Sequence, residues 1–158
     1  MEPRSVLAVG ATLGEGPVWV AHDDALWFVD IKEKHIHRFD PASGVAHQWD
    51  APGQVGWILP TDDGFFAVGL QHGIHRFNPA TDTFTLLHAP EAGRPSNRLN
   101  DATVDPAGGL WFGSMDDEEV ADSGHFYRLH KGILTESSLP PVSITNGPAL
   151  SPDGSLLY

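Results

Sequence analysis

Three short stretches place an oxygen-bearing side chain directly ahead of an apolar run, and a fourth offers a weaker version of the same thing. They are Glu15 in Leu13-Gly-Glu-Gly-Pro-Val18, Asn100 in Arg98-Leu-Asn-Asp-Ala102, Asn146 in Ile144-Thr-Asn-Gly-Pro148, and Gln54 or Val55 in Gly53-Gln-Val-Gly-Trp57. A carboxylate and amide carbonyls form the ligand set that a hard cation such as Ca²⁺ or Mg²⁺ prefers. With one negative ligand, such a site needs at least one further carboxylate. Each residue also has an ordinary structural reading. Asn100-Asp101 and Asn146-Gly147 are turn sequences, because Asn tolerates positive φ and bonds its own backbone, and Glu15 between two glycines fits a solvated turn. Their matching places in successive segments keep the cation reading open beside the structural one.

The elements that must position these residues form a repeat. A polar turn followed by a short apolar strand recurs at Leu26, Phe65, Leu110 and Leu156, at spacings of 39, 45 and 46 residues. Ile36-His-Arg-Phe-Asp-Pro-Ala and Ile74-His-Arg-Phe-Asn-Pro-Ala repeat with one change at an offset of 38. A period near 40 residues with strands flanking each turn predicts an all-β chain, a β-propeller of four-stranded blades. Blade one is expected over about residues 16–50, blade two over 55–88, blade three over 101–137, and a fourth begins at 148–158. The Pro-rich stretch 89–99 reads as a loop, and no 3.6-residue apolar period predicts a long helix. In a propeller the innermost strands start near one end of the central channel, so residues just ahead of them become spatial neighbours. Trp19, Trp27, Trp49, Trp57 and Trp111 read mainly as blade packing, with Trp57 near the channel.

Composition narrows the chemistry. Seventeen Gly and 13 Pro among 158 residues supply the turns of an all-β chain. A net charge of −12 argues against nucleic acid as a partner, since phosphate binding needs a basic stripe. The absence of cysteine excludes disulfides, thiolate nucleophiles and Cys-based zinc sites. No stretch approaches the ~20 apolar residues of a membrane span, and residues 1–9 lack the basic flank and apolar core of a signal peptide, so the expectation is a cytoplasmic chain with no membrane partner. The nine histidines are dispersed, and neither an HExxH nor a GxSxG pattern occurs. Asp116-Asp-Glu-Glu119 reads as a solvated acidic loop.

Gly14-Glu-Gly-Pro-Val-Trp19, Asn97-Arg-Leu-Asn-Asp101, Val104-Asp-Pro-Ala-Gly108, Gly113-Ser-Met115 and Thr145-Asn-Gly147 occur in that order along the whole chain. This set closely resembles the gluconolactonase, regucalcin (senescence marker protein) and luciferin-regenerating family. The resemblance implies a six-bladed propeller, of which about three and a half blades lie in this chain, and one divalent cation at the top of the channel. It implies Glu15, Asn100 and Asn146 as metal ligands, and Arg98, Asn100 and Glu118 as contacts to a bound sugar lactone. It also implies a fourth ligand, an aspartate doubling as acid/base, about one blade past Asn146 and so beyond Tyr158; the catalytic residue therefore stays unassigned. The expected reaction is metal-dependent opening of an aldonolactone. The alternatives are a non-catalytic calcium-binding or interaction propeller, or an inactive truncated fragment. Oxygen ligands do not select among Ca²⁺, Mg²⁺, Mn²⁺, Fe²⁺ and Zn²⁺. An open arc of blades also predicts self-association.

Overall fold

Each polar turn of the repeat joins two antiparallel strands. The computed structural model describes residues 2 and 4–158; residues 1 and 3, part of the start read above as leaderless, lie outside it. Blade one comprises β1 (Gly14–Val20), β2 (Ala25–Asp30), β3 (His35–Phe39) and β4 (Ala46–Asp50). Blade two comprises β5 (Val55–Pro60), β6 (Phe66–Leu70), β7 (Gly73–Asn78) and β8 (Thr83–His88). Blade three comprises β9 (Asn97–Val104), β10 (Leu110–Asp116), β11 (Phe126–His130) and β12 (Ile133–Glu136). Each set is a four-stranded sheet with its strands in sequence order. The fold is all-β, and the described residues hold no helix, hence none long and apolar enough to cross a membrane. The fourth repeat closes as a small hairpin in which Ala149 and Tyr158 exchange backbone hydrogen bonds of 3.0 and 2.7 Å.

Blades pack face to face through alternating side chains. Between blades one and two lie Trp27, Val29, Ile36, Val55, Ile58, Phe66, Val68 and Phe77, with Trp27 stacked on Trp49 at 5.1 Å and tilted against Phe66 at 4.2 Å. Between blades two and three lie Trp57, Ile74, Leu99, Phe112 and Tyr127. Burying one such side chain contributes on the order of 1.5–3 kcal/mol, whereas an exposed pair such as Arg76–Asp63 contributes roughly 0–1 kcal/mol. Apolar packing between blades therefore dominates. Trp57 belongs to this core and is 2 % exposed. Trp19 does not pack as expected: it pairs with Leu26 and is 51 % exposed.

The inner strands carry the feature that positions the site. Each breaks register at or before its middle. In β1 two residues, Gly16 and Pro17, oppose Phe28 alone; in β5 Gly56 is the extra residue; in β9 Asn100 and Asp101 oppose Gly113 alone. Such bulges bend a strand and redirect its side chains. β9 itself starts at Asn97, inside the stretch expected to be loop. Residues 97–99 pair with Asp116, Met115 and Ser114, and Leu99 is fully buried, so ladder bonds and burial override the polar composition.

Gly56 is required by close approach. A Cβ there would collide with the carbonyl oxygens of Leu99 and Asn100, which are backbone atoms unable to swing aside. We predict that Gly56→Ala lowers unfolding free energy by about 1–3 kcal/mol in urea titrations, while Gly93→Ala, with open space around it, stays within about 0.5 kcal/mol of wild type.

Candidate active site

A cavity of about 200 Å³ opens where the inner strands begin, walled by Leu13, Glu15, Ile31, Gly56, Arg98, Asn100, Asp101, Met115, Glu119, Ile144 and Asn146. Larger clefts exist, including one of about 440 Å³ against the free face of blade one, yet that one is lined mainly by apolar side chains. The small cavity brings together polar groups from blade one, blade three and the segment that follows it.

Glu15 is held by the segment leading into β1. Thr12 and Leu13 donate their backbone N–H groups to the Asp30 carboxylate at 2.8 and 3.0 Å, and Asp30 is 1 % exposed. Asn146 is held from the other side. In residues 142–145, Val142 bridges Gly124 just ahead of β11 and Ile144 bridges Met115 near the end of β10, and Thr145 Oγ1 donates to the Ser114 carbonyl at 2.8 Å.

Asn100 sits between these two. Its Nδ2 donates to the Thr145 carbonyl at 2.6 Å, and its Oδ1 accepts from Arg98 Nη1 at 2.7 Å. Both ends of the amide are therefore assigned by their partners, and Oδ1 keeps a second lone pair. The β9 bulge lets consecutive residues Asn100 and Asp101 wall one cavity, which a regular two-residue alternation forbids. Asp101 in turn accepts the Gly147 N–H at 2.9 Å, tying β9 to the turn that carries Asn146.

Arg98 is buried, 3 % exposed. Burial pulls its pKa below the ordinary value, opposed by its hydrogen bond to Asp117. A guanidinium stays a cation at neutral pH. Asp117 Oδ1 receives Arg98 Nε at 3.0 Å. Burial pushes the Asp117 carboxyl up, but donors from Lys32, Gln54 and Arg98 outweigh this and hold it low.

The acidic run 116–119 differs from the solvated loop expected. Asp116 is 4 % exposed and its Oδ2 accepts the N–H groups of Val120 and Ala121, both at 2.9 Å. That turn gives Glu119 a φ of 60° and puts Glu119, not Glu118, in the cavity wall. Glu118 is exposed on the same turn. Glu15, Arg98, Asn100 and Asn146 thus share one cavity, while Asp101 and Glu119 join them without having been singled out. The only sequence signal for Asp101 was its adjacency to Asn100 in an inner strand, and for Glu119 its place beside Glu118. Asp153 stays in its own turn, accepting from Ser151 and Ser155.

Four-stranded antiparallel sheets whose inner strands bulge around an oxygen-rich cavity define a fold of the β-propeller class. The model of the SMP-30/Gluconolactonase/LRE-like region matches residues 13–158, and the chain belongs to this family. It is 34% identical over 151 residues to the L-arabinolactonase of Azospirillum brasilense, covering 93% of this chain and 50% of that protein. It is 28% identical over 155 residues to the 6-deoxy-6-sulfogluconolactonase of Pseudomonas putida, covering 98% and 53%. Among solved structures, a calcium-binding protein, regucalcin, of Agrobacterium tumefaciens superposes with a TM-score of 0.88 at 30% identity, covering 94% of this chain and 50% of that one. The chain spans about half the length of the curated relatives it matches.

Asp30 gives the site a pH signature. Burial pushes its carboxyl up, but the N–H groups of Leu13, Thr12 and Glu33 outweigh burial and hold it below its ordinary value. A depressed carboxyl contributes stability that is present above the unfolded pKa of ~3.9 and is lost as pH falls through the lower folded value. We predict that Asp30→Asn costs about 1–3 kcal/mol at pH 7 and less at pH 3. Urea midpoints at both pH values check this, and an equal loss at each would show that the charge does not hold the segment.

Proposed function

We propose that this cavity belongs to a divalent-metal-dependent hydrolase that opens a sugar lactone to its aldonic acid. The observation that carries the reading is the convergence of Glu15, Asn100 and Asn146 with the cationic Arg98 on one cavity, in a chain whose family includes named lactonases. The donors suit a hard cation, since all are oxygens from different repeats. Asp101 and Glu119 in the same wall add the negative charge that a single carboxylate ligand lacks, although the described residues hold no group of three or more His, Asp or Glu side chains close enough to bind a metal by themselves.

Glu15, Asn100 and Asn146 would hold the ion. Lewis acidity toward the lactone carbonyl is the chemistry such a cation supplies when bound. The protein's own groups bind and orient the lactone. Arg98 donates through Nε and Nη1 within the protein, while Nη2 makes no hydrogen bond among the described residues and can donate to the lactone carbonyl or a ring hydroxyl. A charge-assisted donor at that position stabilises oxyanion character as the carbonyl is attacked. Glu119 in the wall, with Glu118 outside it, supplies acceptors for sugar hydroxyls. The apolar side chains of Leu13, Ile31, Met115 and Ile144 restrict water around the polar cluster, which strengthens each electrostatic contact.

A second reading, cation binding without turnover, is supported by the calcium-binding neighbour. One experiment separates the two. The protein is stripped with EDTA and glucono-1,5-lactone hydrolysis is followed in a pH-stat as Ca²⁺, Mg²⁺, Mn²⁺ or Zn²⁺ is restored. We expect hydrolysis to return with cation, Glu15→Gln to weaken cation binding at least about tenfold, equivalent to about 1.4 kcal/mol, and Arg98→Ala to lower kcat/KM by about 10²-fold. Tight Ca²⁺ binding with background turnover favours the second reading. Turnover that ignores both EDTA and Glu15→Gln sinks the first.

A further inference from the structure

We infer that Asp117 is a positioning residue, which sets the Arg98 guanidinium and, through it, Asn100, by drawing one donor from each of three blades. Lys32 Nζ, just after β2, reaches its Oδ1 at 2.8 Å; Gln54 Nε2, just before β5, reaches its Oδ2 at 2.6 Å; Arg98 Nε on β9 reaches Oδ1 at 3.0 Å. The path continues from Arg98 Nη1 to Asn100 Oδ1 at 2.7 Å and from Asn100 Nδ2 to the carbonyl of Thr145 at 2.6 Å, one residue before Asn146. One connected set of polar contacts therefore spans three blades and the segment that follows them.

Burial decides which of these links matters. Lys32 is 40 % exposed, so its pairing with Asp117 is weak. The Arg98 side chain is 4 % exposed, and a buried cation deprived of its partner is strongly unfavourable. Gln54 shows the same priority from the other side. Its Oε1 is buried with no partner, and turning the amide over would aim that oxygen at the Asp117 carboxylate. The charge-assisted bond from Nε2 holds the amide in the orientation that leaves its oxygen unmet. Asp117 is itself anchored, donating its N–H to the Ser96 carbonyl at 3.1 Å. It is absent from the cavity wall and acts on the cavity through Arg98.

The test reads Arg98 directly and does not need turnover. In ¹⁵N NMR, a slowly exchanging arginine Nε–H resonance is assigned to Arg98 by its loss in Arg98→Lys. It should vanish or exchange at least tenfold faster in Asp117→Ala. It should survive in Asp117→Asn, whose oxygen still accepts from Nε, and in Lys32→Met. Should Asp117→Ala fail to fold, Gln54→Leu answers the same question, with exchange expected to rise at least tenfold as one tether is removed. An Arg98 signal unchanged in Asp117→Ala, or in Gln54→Leu where the former is unfolded, overturns the proposal. The kinetic arm rests on the lactonase reading: KM for glucono-1,5-lactone should rise about tenfold in Asp117→Ala and recover in Asp117→Asn. Absence of turnover in the wild type would remove the lactonase reading and leave the resonance result to decide the role of Asp117.

Discussion

Inner strands of neighbouring blades must approach closely at the channel, and this packing constraint governs everything around the cavity. At Gly56 the backbone of β5 runs so near the carbonyls of Leu99 and Asn100 that no side chain fits between them. The interblade core sets that distance, because Trp57, Leu99, Phe112 and Tyr127 fill the space just behind it. The bulges in β1, β5 and β9 are the local answer. They bend each strand where it meets the channel and turn residues inward that an uninterrupted ladder would alternate between faces.

The acidic composition takes on a different meaning against that framework. Much of the carboxylate inventory builds turns instead of binding ligands. Asp23 pairs with Arg38, Asp63 with Arg76, and Asp105 with Arg128, one such pair per blade between the first hairpin turn and the third strand. Asp40, Asp63, Asp105 and Asp153 also accept backbone N–H groups in their own turns. Asp30 and Asp116 do comparable work at the channel end. A net charge of −12 therefore coexists with few carboxylates at the cavity, and those few are selected by the fold and not by local acidity.

Several features were readable from the residues alone. The near-copy of residues 36–42 at 74–80 and the recurring polar turn located the strands, since a two-residue apolar alternation and a glycine- or Asp-rich turn are local properties. The same repeat put Glu15, Asn100 and Asn146 at equivalent places, and the structure brings those three to one cavity with Arg98. Where reading failed, the controlling interaction was not local. Residues 97–99 look like loop yet pair with the end of β10. Trp19 looks like core yet is half exposed, because the face it shares with Leu26 turns away from blade two.

What the residues by themselves determined is the architecture and the side-chain types: an all-β repeat of four-stranded units with oxygen-bearing side chains near the inner strand starts. What only tertiary structure decided is which neighbours in an acidic or Asn-Asp stretch face the cavity. A two-for-one bulge opposite Gly113 places Asp101 beside Asn100. A turn capped by Asp116 selects Glu119 over Glu118 for the cavity wall. Donors from three blades assign Asp117 to Arg98. Each outcome depends on backbone geometry and on partners up to 85 residues away, distances over which one-dimensional pattern carries no directional information.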